Sequence, residues 1–382
     1  MYPSTRTVTD HPLFIREEFW YLNPSFGISQ IREVTPIFTA KSGELRDVLM
    51  SRLASEDTNQ VRVDMLSYLS RTTLDIIGLA GFNYSFNALY NREDGLAKAF
   101  NGIFQSTGGL PLALIFKTQF PFLRPILRFD ELSKSSAEVE RRTKEIGYRL
   151  IAAKKEEMRE KGSSLGGTAK SKDLLSLLIQ SNLEATGDTG KTLTDQEVFH
   201  QIPTFLLAGH ETTSTATTWT LFSLAQHPEI QNRLRNELLT LHTESPTMEE
   251  LNSLPYLEAV VRESLRYHSV VTGTLRVATQ DDIIPLEKPF VDKSGNLRNG
   301  IATASIWGAD AKSFKWESVP KDSSSIPGVW GNQLTFLGGP RACIGYRFAL
   351  VECVFPVYVP EHLLMFGVLQ DEGIVIRSHK EL

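Results

Sequence analysis

Between Val61 and Ala80 apolar residues recur at helical spacing and predict an amphipathic helix. A second stretch, from about Ser136 to Glu160, is dense in Arg, Lys and Glu and predicts a solvated surface helix. The Ser/Gly-rich run Gly162–Lys172 reads as a loop, followed by a short helix near Asp173–Asn182 and a second loop, Gly187–Lys191. Thr194-Asp195-Gln196-Glu197 has the form of a capping box, in which hydroxyl and carboxylate each satisfy a free backbone N–H at a helix start. From Val198 to Ala208 the chain is apolar almost all round, as in a helix through the core, with Pro203 expected to kink it. Pro228 opens another helix, and Ser253-Leu254-Pro255 opens a third that runs to about His268. Strand-like material is sparse and centres on Thr272–Ala278. The first forty residues are polar-aromatic and follow neither period. The pattern predicts a mainly α fold with a small β component and no internal repeat.

Composition adds limits. The chain has 382 residues, 41% hydrophobic and 22% charged, enough for a large core. A net charge of -5 gives no reason to propose nucleic acid as a partner. The chemistry-bearing motifs run from mid-chain nearly to the end and make sense only if they converge, so one domain over residues 1–382 is expected. The two cysteines, Cys343 and Cys353, lie ~15 Å apart if the segment between them is helical, too far for a disulfide. A reducing compartment fits, with a thiol free for chemistry. No apolar run is long enough to predict an anchor or signal segment.

Three constellations carry chemistry. In Phe336-Leu337-Gly338-Gly339-Pro340-Arg341-Ala342-Cys343-Ile344-Gly345, the Phe, Gly, Arg, Cys and Gly at their offsets arise by chance roughly once in ten million start positions at average usage. That rarity argues against a free cysteine in an ordinary Gly-rich turn. A helix is expected to begin near Cys343, where a thiol ionises more readily. The second is Ala208-Gly209-His210-Glu211-Thr212-Thr213: a lone carboxylate after an apolar stretch is costly without a task. Gly209 would leave room for a ligand, and the β-branched run Thr212–Thr218 suggests a locally opened helix. The third is Glu263-Ser264-Leu265-Arg266, whose charges share one helix face opposite Leu257, Val260, Val261 and Leu265. Such spacing is by default a surface salt bridge.

Together these motifs resemble the cytochrome P450 family. The resemblance implies haem as cofactor, with the Cys343 thiolate as axial iron ligand, Arg341 and Arg276 on its propionates, and Phe336 beside the sulfur. Gly339 and Gly345 would let the backbone pass close to the ring, with Ala208 and Gly209 facing it. Thr212 would orient oxygen and water and Glu211 feed the proton relay, while Glu263 and Arg266, with an arginine from a later loop, would lock the segment ahead of the cysteine. The implied activity is a monooxygenase using dioxygen, a small apolar organic substrate and electrons from an NADPH-dependent P450 reductase. Family members of this type usually sit on the endoplasmic reticulum membrane. Asn23-Pro24-Ser25-Phe26-Gly27, Trp307-Gly308-Ala309-Asp310-Ala311 and Ile326-Pro327-Gly328-Val329-Trp330-Gly331 resemble segments of fungal members. The likeness covers about residues 23–352; 1–22 and 353–382 are atypical.

The chain also departs from the family pattern. The family's anchor and first helices are not expected in this sequence, and four residues after Trp20 stands Pro24 where the family carries a propionate-binding arginine. Trp307 follows Arg276 too closely for the usual strands, and Phe314-Lys315-Trp316-Glu317 lacks the Pro-Glu-Arg run that supplies the lock's third member. Pro356 and Pro360 are expected to break the helix after the cysteine, and the tail looks unlike the family's closing strands. The P450 fold is therefore expected to be incomplete at the N-terminus, in the sheet region and at the C-terminus. A truncated remnant that binds no haem remains an alternative. So does a haem-thiolate isomerase or dehydratase, although the Glu211-Thr212 pair argues against it.

Overall fold

The irregular-looking start of the chain contains a long helix, α1, Ile28–Ala54. Ile31, Val34, Phe38, Leu45, Leu49 and Leu53 bury one face at helical spacing. Thr35, Lys41, Ser42 and an internal Pro36 interrupt the apolar pattern, which is why no period is visible from sequence. The structure, a computed structural model, describes residues 26–56, 60–90, 141, 147–148, 151–152, 156, 173–176, 195–273, 288–291, 297–300, 328–339, 342–361, 364–368 and 374–378.

The helix expected over Val61–Ala80 begins later. Gln60–Val63 is a strand, β1, with Val61 and Val63 buried alternately. Asp64 then caps α2, Met65–Phe82, by accepting from the Ser67 N–H at 3.0 Å. Asn83, at φ 52°, ends it in the left-handed conformation. The turn that follows is clamped to α2 by two buried side chains. Asp75 accepts from the Ala88 and Leu89 N–H groups at 2.8 and 3.2 Å, and Arg71 Nη1 donates to the Leu89 carbonyl. Burial pushes the Asp75 carboxyl up, and the two N–H groups partly offset that.

The central element is α3, Asp195–Gln226, with α2 packed along it. It passes Pro203 without ending, and the opening expected around Thr212–Thr218 is absent. The hydroxyls of Thr212, Thr217, Thr218 and Thr220 instead donate to carbonyls one turn back, at 2.6–2.9 Å. Hydroxyls satisfied this way let a Thr-rich segment stay helical inside a core. The side chains of the expected capping box lie outside the described residues.

Pro228 and Pro255 open helices as expected: α4, Pro228–Leu238, and α6, Pro255–Tyr267. Between them a 3-10 turn, Leu239–Leu241, leads to α5, Met248–Asn252, held by a Thr247–Glu250 capping box. Glu237 of α4 accepts from the Tyr256 and Leu257 N–H groups at 2.9 and 2.8 Å, an anion at the helix start. The Thr220 and Ser264 hydroxyls are hydrogen-bonded at 2.8 Å and tie α6 to α3.

The last helix, α7, Tyr346–Glu361, runs through Pro356 and Pro360, which were expected to break it. A proline in a helix interior costs about 3 kcal/mol. Phe348, Phe355, Val357 and Tyr358 are buried along this helix, and each such burial returns about 1.5–3 kcal/mol. Phe348 and Phe355 meet the Phe38 ring of α1 edge-on. The tail also corrects expectation, because it forms β4, Leu364–Val368, and β5, Ile374–Ser378. β5 lies between β1 and β4, antiparallel to both, with Val63 opposite Ile374 and Val368 opposite Ile374. A separate hairpin pairs β2, Lys288–Val291, with β3, Leu297–Gly300.

Of the expected 136–160 helix, residues 141, 147–148, 151–152 and 156 are helical, and the remainder lies outside the described residues. Leu174–Ser176 is helical behind Asp173, which accepts from the Ser176 N–H. Thr272 and Gly273 are not in a strand, and 274–278 lie outside the described residues. Among the described residues no helix is long and apolar enough to cross a membrane.

Asp75→Ala strands two backbone N–H groups in the core and is expected to cost about 1–3 kcal/mol. Urea denaturation should show a lower midpoint at unchanged slope. An unchanged midpoint would mean that the 83–90 turn is held by other contacts.

Candidate functional site

The loop that presents Cys343 is built from its own backbone. The Cys343 N–H donates to the Phe336 carbonyl at 2.8 Å, Ala342 N–H to Gly339 at 3.1 Å, and Val329 N–H to Leu337 at 3.0 Å. Leu337 and Gly339 sit at φ 59° and 70°. Glycine makes this conformation easy at 339, whereas at Leu337 it costs about 1–3 kcal/mol. At Gly328 a side chain would run into the Gln333 backbone.

Two side chains suspend this loop from α6. Gln333 Nε2 donates to the Arg262 carbonyl at 3.1 Å, and the Thr335 hydroxyl to the Leu265 carbonyl at 3.2 Å. Arg262 also lies over the Trp330 ring, and Trp330 meets Phe336 edge-on. Glu263 and Arg266, on the same helix, form a two-bonded pair at 2.6 and 2.8 Å, with side chains only 7% and 13% exposed. This is a largely buried pair, not the surface bridge that spacing alone suggests. The helix carrying it does hold the segment ahead of the cysteine, through backbone carbonyls that sequence reasoning did not anticipate. Neither Gln333 nor Thr335 stands out in a periodicity or motif search.

Cys343 is exposed, while Cys353 is buried with its thiol pushed up to about 12. The expected easier ionisation of Cys343 is not found. Helix α7 starts three residues later, and crowding around the sulfur raises its pKa more than the Gly345 N–H, directed at it, lowers it. That N–H suits an anionic sulfur, and coordination to a metal removes the thiol proton outright. One accessible sulfur with a backbone donor aimed at it is a donor set that fits haem iron, whose equatorial positions the macrocycle fills.

On α3, Ala208 is exposed and Gly209 is not a ligand gap. A Cβ on Gly209 would lie 3.0 Å from Ile77, so the missing side chain lets α2 approach α3. His210 is fully buried, with Nδ1 against the Leu206 carbonyl at 2.7 Å, and its own carbonyl accepts from Thr73 of α2. Burial lowers the His210 pKa and raises that of the 23%-exposed Glu211. Their 3.7 Å approach is therefore a neutral imidazole beside a reluctant carboxylate, not an ion pair. Thr212 donates its proton to the Ala208 carbonyl.

Loop and helix are joined through Phe26, whose ring lies 5.7 Å from Phe205 of α3 and 3.9 Å from a Cβ placed on Gly345. Helix α7 then packs on α3, where Cys353 Sγ approaches the Thr213 carbonyl. Arg341 and Arg276 lie outside the described residues, as do Trp307–Ala311 and Phe314–Glu317.

The cytochrome P450 family model matches residues 20–290, a stretch that includes Glu211, Thr212, Glu263 and Arg266 and ends before the cysteine loop. The chain is 44% identical over 364 residues to cytochrome P450 monooxygenase 128 of Postia placenta, covering 88% of this chain and 66% of that protein. It is 44% identical over 361 residues to cytochrome P450 monooxygenase 205 of the same organism, with the same coverage. It thus spans 66% of the length of these relatives. A crystal structure of a cytochrome P450 (CYP102L1) superposes with a TM-score of 0.70 at 22% identity, over 96% of this chain and 80% of that one, a likeness of fold.

Gly209→Val is expected to destabilise by about 1–3 kcal/mol through overpacking against Ile77. Adding Ile77→Ala should recover part of that loss, so a denaturation double-mutant cycle should show clear coupling. Strict additivity would place the limiting contact elsewhere.

Proposed function

The chain belongs to the cytochrome P450 family, and from that premise we propose that it is a haem-thiolate monooxygenase acting on a small apolar organic substrate. One oxygen atom of dioxygen enters the substrate. The other leaves as water, with electrons from an NADPH-dependent reductase. The observation that carries the proposal is Cys343: an exposed thiol in a backbone-braced loop, with the Gly345 N–H directed at its sulfur. When bound through the Cys343 sulfur, a haem would supply dioxygen binding and O–O cleavage, which a thiolate's electron density favours.

The remaining work falls to residues of the chain. Cys343 would hold the group, and Arg341 and Arg276 would take its propionates, by likeness to the family motif. The Thr212 hydroxyl donates its hydrogen bond to the Ala208 carbonyl, so its lone pairs are free to accept one from water or another proton source. Glu211 is half-buried with a raised pKa. It therefore holds a proton nearer neutral pH than an ordinary carboxyl and still reaches solvent to reload. The neutral His210 beside it adds no charge that would draw that proton off.

Two tests follow. In haem-loaded protein reduced under carbon monoxide, Cys343→Ala is expected to lose the long-wavelength Soret band of thiolate ligation, and Cys353→Ala to keep it. Equal loss in both variants, or a band that survives Cys343→Ala, would remove Cys343 as the ligand. Thr212→Ala should retain that band yet release more hydrogen peroxide per NADPH consumed, with product formation falling by about 10²–10⁴-fold. Unchanged coupling would reduce Thr212 to a structural role.

A further inference from the structure

A carboxyl side chain lies deep in the core at the contact of α7 with α3. Glu352 of α7 is 0% exposed. Neither of its carboxyl oxygens makes a well-formed hydrogen bond, and the same holds for the buried Thr213 hydroxyl of α3. The two groups face one another closely enough for Thr213 to lower the carboxyl's pKa, though burial outweighs it and pushes Glu352 far up. Thr213 also differs from Thr212, Thr217, Thr218 and Thr220, whose hydroxyls all bond back along the helix. Next to Glu352, Cys353 approaches the Thr213 carbonyl at 3.9 Å and the Thr217 hydroxyl. Two polar groups of α7 thus meet two threonines of α3 inside an otherwise apolar interface.

We propose that Glu352 and Thr213 form a sealed hydrogen-bond seam that sets α7, and with it the Cys343 loop, against the Glu211–Thr212 turn, making Glu352 a positioning residue. An isolated carboxylate at this depth would cost many kcal/mol, so the carboxyl enters the seam as the neutral acid. It then donates its O–H to Thr213 Oγ1. No charge opposes this among the described residues. The shift of Glu352 has burial and Thr213 as its causes. His210, one turn before Thr213 on α3, is pushed toward its neutral form by burial. Phe38 of α1 packs on Phe348 and Phe355, one turn either side of Glu352, and on α7 itself Cys353 stays protonated. Thr213 adjoins Thr212 in sequence, and α7 begins three residues after Cys343. A seam between them fixes both halves of the site at once. Its consequence at the iron rests on the haem-thiolate reading; the seam itself does not.

Glu352→Gln, Glu352→Leu, Thr213→Ser and Thr213→Val in the full chain separate these claims. The wild type should show the infrared C=O band of a protonated carboxylic acid, and Glu352→Gln should lack it. A carboxyl whose folded pKa is raised binds more protons folded than unfolded, so stability falls as pH rises. Above about pH 4.3, the unfolded carboxyl value, the wild-type folding equilibrium should weaken up to tenfold per pH unit relative to Glu352→Gln. After haem loading, Glu352→Gln and Thr213→Ser should keep the thiolate band, whereas Glu352→Leu and Thr213→Val should convert part of it to the short-wavelength form. No protonated-acid band, or the same pH dependence in wild type and Glu352→Gln, would overturn the seam. Wild-type spectra in both Glu352→Leu and Thr213→Val would overturn its positioning role. If Cys343→Ala left the spectrum unchanged, the haem-thiolate reading would fail, while the infrared and pH results would still decide the seam.

Discussion

Burial of α3 is the constraint on which the rest depends. A helix packed between α2 and α7 can carry hydroxyls, an imidazole and a carboxyl only if each is satisfied or neutralised without bulk water. Thr212, Thr217, Thr218 and Thr220 meet that demand by bonding to carbonyls one turn back, and His210 by its bond to Leu206. Glu211 meets it by keeping an edge in solvent and raising its pKa. The closeness of α2 has its own requirement. Gly209 must lack a side chain because Ile77 occupies the space.

The cysteine loop obeys a different rule. Its backbone is strained at Leu337 but braced by its own hydrogen bonds, and it is suspended from α6 through Gln333 and Thr335. α6 is in turn anchored by Glu237 at its start and by Ser264 to Thr220 of α3. Polar ties therefore run from α3, through α6, to the loop. α7 closes the circuit from the other side.

Where the signal was local, the sequence was legible. Pro228 and Pro255 mark helix starts because a ring that fixes φ and lacks an N–H loses no hydrogen bond in the first turn, and both helices begin at those residues. Cys343, Glu211 and Thr212 stand out because their residue types are rare in such surroundings. Long-range context decided the rest. α1 was hidden by polar residues that are nevertheless buried, and β1 was read as the start of α2 because a four-residue strand shares valines with either period. Pro356 and Pro360 look like helix breakers in the sequence because the aromatic packing against α1 that overrides them cannot be seen there. Glu352 could have been found by the rule that singled out Glu211, since it too is a lone carboxylate in an apolar helix.

The central claim is that one sulfur of this chain bonds iron. X-ray absorption at the iron edge of the haem-loaded full chain tests it without relying on turnover or on a particular substrate. The account predicts one sulfur scatterer beside the four macrocycle nitrogens, lost in Cys343→Ala. An iron surrounded only by nitrogen and oxygen in the wild type would contradict it.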